Sequence, residues 1–196
     1  MNWLASADDL AETLPAAWLV ATSEAPRNLD ERSRLRRMVG GRVLGRQLGE
    51  PVTIAHEPGG RPFIAGRPGL HVSLATRAGI VAVALARGPV GVDVEALSEA
   101  PFPLAMLHEA ERRSLESLPE AARPLAFARL WAAKEAYVKA LGTGFRRAPD
   151  SFAVTLDGAR FGVDDPSRPA PARGWLRTMH NGGQVTLAAA AISLAE

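Results

Sequence analysis

GIVAVALARGPVGVDVEAL, residues 79–97, holds two apolar runs of strand length separated by Arg87-Gly88-Pro89. Runs of this length, rich in valine and bounded by Gly and Pro, predict strands, and the short link predicts an antiparallel hairpin. LHVSLA (70–75) predicts a strand just before it, and AWLVAT (17–22) an earlier one. Asn28 or Asp30 would cap a helix running to about Leu48, with Leu35, Val39, Val43 and Leu44 as its buried stripe. Residues 103–118 predict a second helix ending at Pro119, and residues 124–142 a third closed by Gly142. SFAVTLD (151–157), GWLRTM (174–179) and QVTLAAAAISLA (184–195) predict further strands, while residues 56–69 and 164–174 are rich in turn formers and predict loops. Each half of the chain, 1–97 and 98–196, thus offers a long helix and about three strands. Hairpin-linked strands with a helix on each sheet predict an α+β fold of two similar subdomains, each a small antiparallel sheet packed with a long helix.

The composition narrows the chemistry. A chain of 196 residues, 47% hydrophobic and 22% charged, can bury a sizeable core and shows no bias toward disorder. With no cysteine, disulfides, thiolate metal sites and a cysteine nucleophile are excluded, which fits a reducing cytoplasm. No apolar run approaches the roughly 20 residues that span a bilayer, and the first residues carry acids where a signal peptide carries bases. The sequence therefore predicts a cytoplasmic protein that does not enter a membrane. A net charge of +2 is too small for a general nucleic-acid binder, and Arg34–Gln47 has no aromatic side chain to stack on bases. The charge is nonetheless uneven: arginines 32, 34, 36, 37, 42 and 46 face two acids within residues 28–49. Such a cluster suits phosphate or an acidic partner, or forms a solvated helix face.

Two stretches could carry chemistry. In GVDVE (91–95), Asp93 and Glu95 project from one face of a strand while Val92 and Val94 fill the other. Two carboxylates that close repel. They are either solvated on an exposed face or held by a hard divalent cation such as Mg²⁺, which takes oxygen ligands and shares its shell with substrate phosphates. In LWAAKEAYVKALGTGF (130–145), Glu135 and Lys139 are four apart on a helix, and a simple surface pair at that spacing contributes about 0.2–0.5 kcal/mol. This chain has only two lysines, Lys134 and Lys139, among 23 basic residues. Arginine would serve a surface pair equally well, whereas lysine is a compact charge able to give up its proton.

Together these stretches resemble the 4′-phosphopantetheinyl transferases of the Sfp-like, pseudo-dimeric branch. That family carries a G-[IV]-D-[IV]-E strand and a W-x-x-K-E-A-x-x-K-x-x-G helix, matched here at Gly91, Asp93, Glu95, Trp131, Lys134, Glu135, Lys139, Gly142 and Gly144. Gly60-Arg61-Pro62 resembles its G-[KR]-P element, and residues 36–48 its basic N-terminal helix. The resemblance implies transfer of 4′-phosphopantetheine from coenzyme A to a serine of an apo acyl- or peptidyl-carrier protein, by a chain sufficient as a monomer. It implies that Asp93, Glu95 and Glu135 hold Mg²⁺, that Glu135 and Lys139 are catalytic, and that Arg37, Arg61, Ser73, Lys134 and Lys139 bind coenzyme A. One departure stands out: Leu74 and Ala75 follow Ser73 where the family has S-H-[ST], removing a phosphate donor. This motivates the alternative of a catalytically impaired relative that binds coenzyme A or a carrier without efficient transfer.

Overall fold

Eleven strands and three α-helices are described in the computed structural model, which covers residues 1–24, 26–98, 102–143, 147–168, 170–181 and 184–194. Gly144 of the helix motif and the adjoining Phe145 lie outside the described residues. The first sheet contains β1 (Asn2–Leu4), β2 (Ala16–Ala21), β3 (Ile54–His56), β4 (Pro62–Ile64), β5 (His71–Arg77) and β6 (Ile80–Ala86), in the order β1-β2-β6-β5-β4-β3. The second contains β7 (Val90–Ala96), β8 (Ala153–Asp157), β9 (Arg160–Asp164), β10 (Ala172–Asn181) and β11 (Gln184–Ser193), in the order β7-β11-β10-β9-β8. All pairings are antiparallel except β1 with β2. The class is α+β.

The expected hairpin between residues 79–86 and 90–97 does not form. β6 pairs with β2 and β5, whereas β7 crosses to the second sheet and pairs with β11. Both strands are buried almost throughout, and a buried apolar run carries no signal of which neighbour it joins. β6 instead forms a hairpin with β5, the two joined by Ala78 and Gly79 in left-handed conformations.

The layers run helix, sheet, sheet, helix. α1 (Leu29–Leu48) is capped by Asn28, whose side chain accepts from the Glu31 amide, and it buries Leu35, Val39, Val43 and Leu44 against the first sheet. Gly40 allows this approach: a Cβ there would sit 2.9 Å from Ile54 and 3.0 Å from Leu74. Between the sheets, Ala17, Leu19, Ala82 and Ala84 meet Val90, Val92, Val94, Ala189 and Ala191 in a layer of small side chains. α3 (Arg123–Leu141) covers the outer face of the second sheet through Ala132, Ala133, Ala136 and Ala140. The predicted helix over 103–118 is broken: a 3-10 turn at Leu104–Met106 precedes α2 (Glu109–Glu116), which starts at a capping box between His108 and Glu111. No helix among the described residues is long and apolar enough to cross a membrane.

Candidate active site

β7 lies at the edge of its sheet, and an edge strand leaves backbone groups to be satisfied elsewhere. The Val92 amide donates to Ser73 Oγ at 3.1 Å, and the Val92 carbonyl accepts from Lys139 Nζ at 3.3 Å. Ser73 is thus buried as a strut between the sheets. Period-two alternation sends Val92 and Val94 into the layer between the sheets and turns Asp93 and Glu95 the other way, toward α3. Gly91 makes this contact possible, because a Cβ there would lie 1.8 Å from the Ala136 carbonyl oxygen and 2.7 Å from the Ala140 nitrogen. The glycine therefore presses the acidic strand directly onto the helix bearing Glu135 and Lys139.

Lys139 reaches across this junction. Its Nζ lies 2.6 Å from Asp93 Oδ1, so it serves the strand carboxylate rather than the intrahelical neighbour Glu135. Asp93 is buried, and its second oxygen, Oδ2, has no hydrogen-bond partner. Burial pushes the Asp93 carboxyl up, and Lys139 is the main opposing influence. Glu95 is pushed up to about 7 by burial, with Asp93 and Glu135 adding to the rise against Arg77 and Lys139. Its partner is Arg77, at 3.4 Å. Glu135 is raised too, first by burial and then by Asp93. The three carboxylates therefore feel one another across the strand–helix junction. Among the described residues, no three acidic or histidine side chains are gathered closely enough to form a ready-made metal ligand set. The chemistry of the donors nevertheless fits a divalent cation: hard oxygens, mutual repulsion, and a buried carboxylate oxygen bonded to nothing.

Beside the acids lies a basic cavity of about 300 Å³, lined by Ser33, Arg36, His56, Arg61, Ser73, Leu74, Lys139 and Gly142 among others. Arg61 projects from the loop before β4; its guanidinium packs on Gly142, 3.2 Å from where a Cβ would stand, and one of its Nη atoms is 3.3 Å from His71 Nδ1. Gly142 also caps α3 at φ 70°, a left-handed conformation that glycine adopts at little cost. His56 is lowered by burial and by Arg37 and Arg36, which keeps its imidazole neutral at neutral pH. Lys139 belongs to both environments, lining the cavity and touching Asp93. A larger open hollow of about 720 Å³ elsewhere on the first sheet, lined by Gln47, Arg67, Leu85 and Arg87, contains none of the predicted site residues.

One expected phosphate ligand is buried away from the cavity, and another stands outside its lining. Lys134 does not face the cavity: it is 1% exposed, with Nζ 2.7 Å from Glu111 Oε1 and donating to the carbonyls of Pro149 (2.7 Å) and Phe152 (2.9 Å). Its ammonium also lies 4.2 Å from the Phe152 ring centre. At about 100° of rotation per residue, position 134 points roughly 100° away from Glu135 and 140° away from Lys139, which is why Lys134 enters the core. In the basic helix, Arg36 rather than the exposed Arg37 lines the cavity, where it bonds Ser33 Oγ at 3.1 Å. The buried stripe that begins at Leu35 and Val39 fixes which flank of α1 faces inward, so the neighbouring Arg36 sits at its margin.

Residues 89–190, which carry this junction, match the model of the 4′-phosphopantetheinyl transferase superfamily. The chain belongs to that superfamily. The matched span holds Asp93, Glu95, Glu135 and Lys139. Among relatives, the 4′-phosphopantetheinyl transferase gsp of Aneurinibacillus migulanus is 33% identical over 95 residues, covering 47% of this chain and 39% of its own length. The 4′-phosphopantetheinyl transferase psf-1 of Bacillus pumilus is 30% identical over 111 residues, covering 55% of this chain and 47% of its own. The chain thus spans less than half the length of these two superfamily members. A crystal structure of Thermotoga maritima holo-[acyl-carrier-protein] synthase shares 22% identity over 54% of this chain and 62% of its own, with a TM-score of 0.36.

The sequence did not single out Glu111, Arg36 or His56. Glu111 was legible only through spacing: His108-x-x-Glu111 has the interval of a capping box, with histidine in place of the usual Ser or Thr. Its buried carboxylate also accepts from the Val154 amide at 2.7 Å, so Lys134 and Glu111 tie α2, α3 and β8 together. Nothing in the sequence distinguishes His56 from the other three histidines, because its role depends on β3 pairing with β4 at the cavity wall.

Proposed function

We propose that this chain transfers the 4′-phosphopantetheine group of coenzyme A to a serine hydroxyl of an apo acyl- or peptidyl-carrier protein. The observation that carries the proposal is Lys139, one ammonium shared by a basic cavity and a buried carboxylate. Phosphoryl transfer relies on alignment and charge neutralisation more than on covalent catalysis, and this boundary offers both. Arg61, Arg36 and the Lys139 ammonium would hold phosphate oxygens in the cavity. Ser73 Oγ and neutral His56 add hydrogen-bonding groups on a wall where Leu74 replaces the family's histidine. Asp93, Glu95 and Glu135 would hold Mg²⁺, which when bound neutralises charge on the pyrophosphate oxygens.

The serine oxygen forms its bond to the phosphorus on the pantetheine side, and the bond from that phosphorus to the adenosine 3′,5′-bisphosphate oxygen breaks. Glu135 takes the serine proton. Its upward-shifted pKa brings it toward the range in which a carboxylate accepts a proton near neutrality. Lys139 faces the phosphate oxygens and stabilises the leaving oxygen. Incubating the protein with coenzyme A, Mg²⁺ and an apo carrier, then weighing the carrier, tests the proposal: its mass rises by one phosphopantetheinyl group. The Leu74-Ala75 replacement favours a second reading, a protein that binds coenzyme A without transfer; an unmodified carrier alongside measurable coenzyme A binding would support it.

A further inference from the structure

Lys139 meets more acceptors than a surface lysine does. Its Nζ donates to Asp93 Oδ1 at 2.6 Å and to the Val92 carbonyl at 3.3 Å, and its side chain lines the basic cavity. Asp93 is almost wholly buried, and of its two oxygens only Oδ2 is without a hydrogen-bond partner. A cation on Oδ2 and an ammonium on Oδ1 would share one carboxylate. Two positive charges on opposite oxygens of one buried group repel strongly, because the surroundings screen them far less than water does. An anion entering the cavity from the Arg36 and Arg61 side would reach the same ammonium.

On the reading that a divalent cation is held at Asp93, we propose that Lys139 couples the two halves of the site. In the ligand-free protein it is a resident internal cation that holds divalent-cation affinity down; an anion engaging its ammonium from the cavity relieves that restraint. Lys139 is then the link through which anion and cation binding strengthen each other, and such coupling is reciprocal. Cation binding at Asp93 would be weak alone and tight only with an anion in place. That order keeps the acidic residues from filling before a phosphate is present to be neutralised.

Mn²⁺ affinity of the nucleotide-free protein, measured by the electron paramagnetic resonance signal of free Mn²⁺ at fixed pH and ionic strength, tests this without reference to turnover. Lys139→Met removes the charge and leaves an unbranched side chain one atom shorter; it is expected to tighten Mn²⁺ binding tenfold or more. Lys139→Gln gives a second neutral variant should the first fail to fold, as judged by circular dichroism. Sulfate, serving as a phosphate-like anion, is expected to tighten Mn²⁺ binding several-fold in the wild type, with a clearly smaller effect in the neutral variants. Asp93→Asn fixes the location. If it abolishes binding in the wild type while the neutral variants bind no more tightly, the coupling proposal fails and the cation site stands. If Asp93→Asn leaves Mn²⁺ binding unchanged, the cation is not at Asp93 and the functional reading fails with it.

Discussion

Glu95→Gln measures the electrostatic stress built into the strand–helix junction. Glu95 is mostly shielded from water, lies near Asp93 and Glu135, and has its carboxyl pushed up to about 7. In the unfolded chain an ordinary glutamate titrates near 4.3. The folded state therefore holds its proton over a window where the unfolded state has lost it, and stability falls as pH rises from about 4.3 through about 7. The accumulated penalty at pH 8 is on the order of 3 kcal/mol, and it already includes the help that Arg77 gives. Glutamine keeps the shape and removes the charge. In EDTA at pH 8, denaturant unfolding should show Glu95→Gln more stable than the wild type by roughly that amount, with the difference shrinking to nothing near pH 4. Saturating Mg²⁺ should narrow or reverse the order, because only the wild type keeps all three carboxylates. A variant no more stable at pH 8, or an advantage that persists unchanged at pH 4, would refute the reasoning.

The packing and chemistry give three further expectations. Gly91→Ala places a methyl 1.8 Å from the Ala136 carbonyl; unfolding experiments should show a loss of roughly 3 kcal/mol or more, with Leu at the same position yielding no soluble protein. Lys134→Met leaves the Glu111 carboxylate buried without its cation and should cost about 3–5 kcal/mol, while adding Glu111→Gln, which still accepts from the Val154 amide, should restore part of it. Coenzyme A affinity by calorimetry should change little in either variant that folds, and a loss of tenfold or more would return Lys134 to the phosphate ligands. Lys139→Arg keeps the charge but cannot fit a planar guanidinium where the ammonium now lies 2.6 Å from Asp93 and 3.3 Å from the Val92 carbonyl; single-turnover transfer should slow at least tenfold, and a wild-type rate would remove the need for lysine.

The sequence revealed elements well and connections poorly, for physical reasons. Helix α1 was legible because Asn28 caps it and Leu35, Val39, Val43 and Leu44 repeat with the helical period. The facing of Asp93 and Glu95 was legible because a strand has period two. The partner of β7 was not, since β6 and β7 are both apolar runs buried among alanines and valines on either side of the same layer. Gly91 hints at a close approach, yet only the fold shows that the approaching group is the Ala136 carbonyl. The same limit explains Lys134 and Lys139. Both lysines were conspicuous against an arginine-rich background, but their five-residue spacing puts them on different sides of α3, one against Glu111 and the other against Asp93. The motif marks which residues matter without saying which face each one takes.

Single-turnover transfer by Asp93→Asn, Glu135→Gln and the double variant, beside the wild type, asks most directly whether β7 and α3 form one working site. Residues that act as a unit are strongly non-additive, so each single variant should already fall close to the residual rate of the double. Losses that multiply, or a Glu135→Gln protein that modifies its carrier at the wild-type rate, would show that the strand and the helix do not share the chemistry assigned to them.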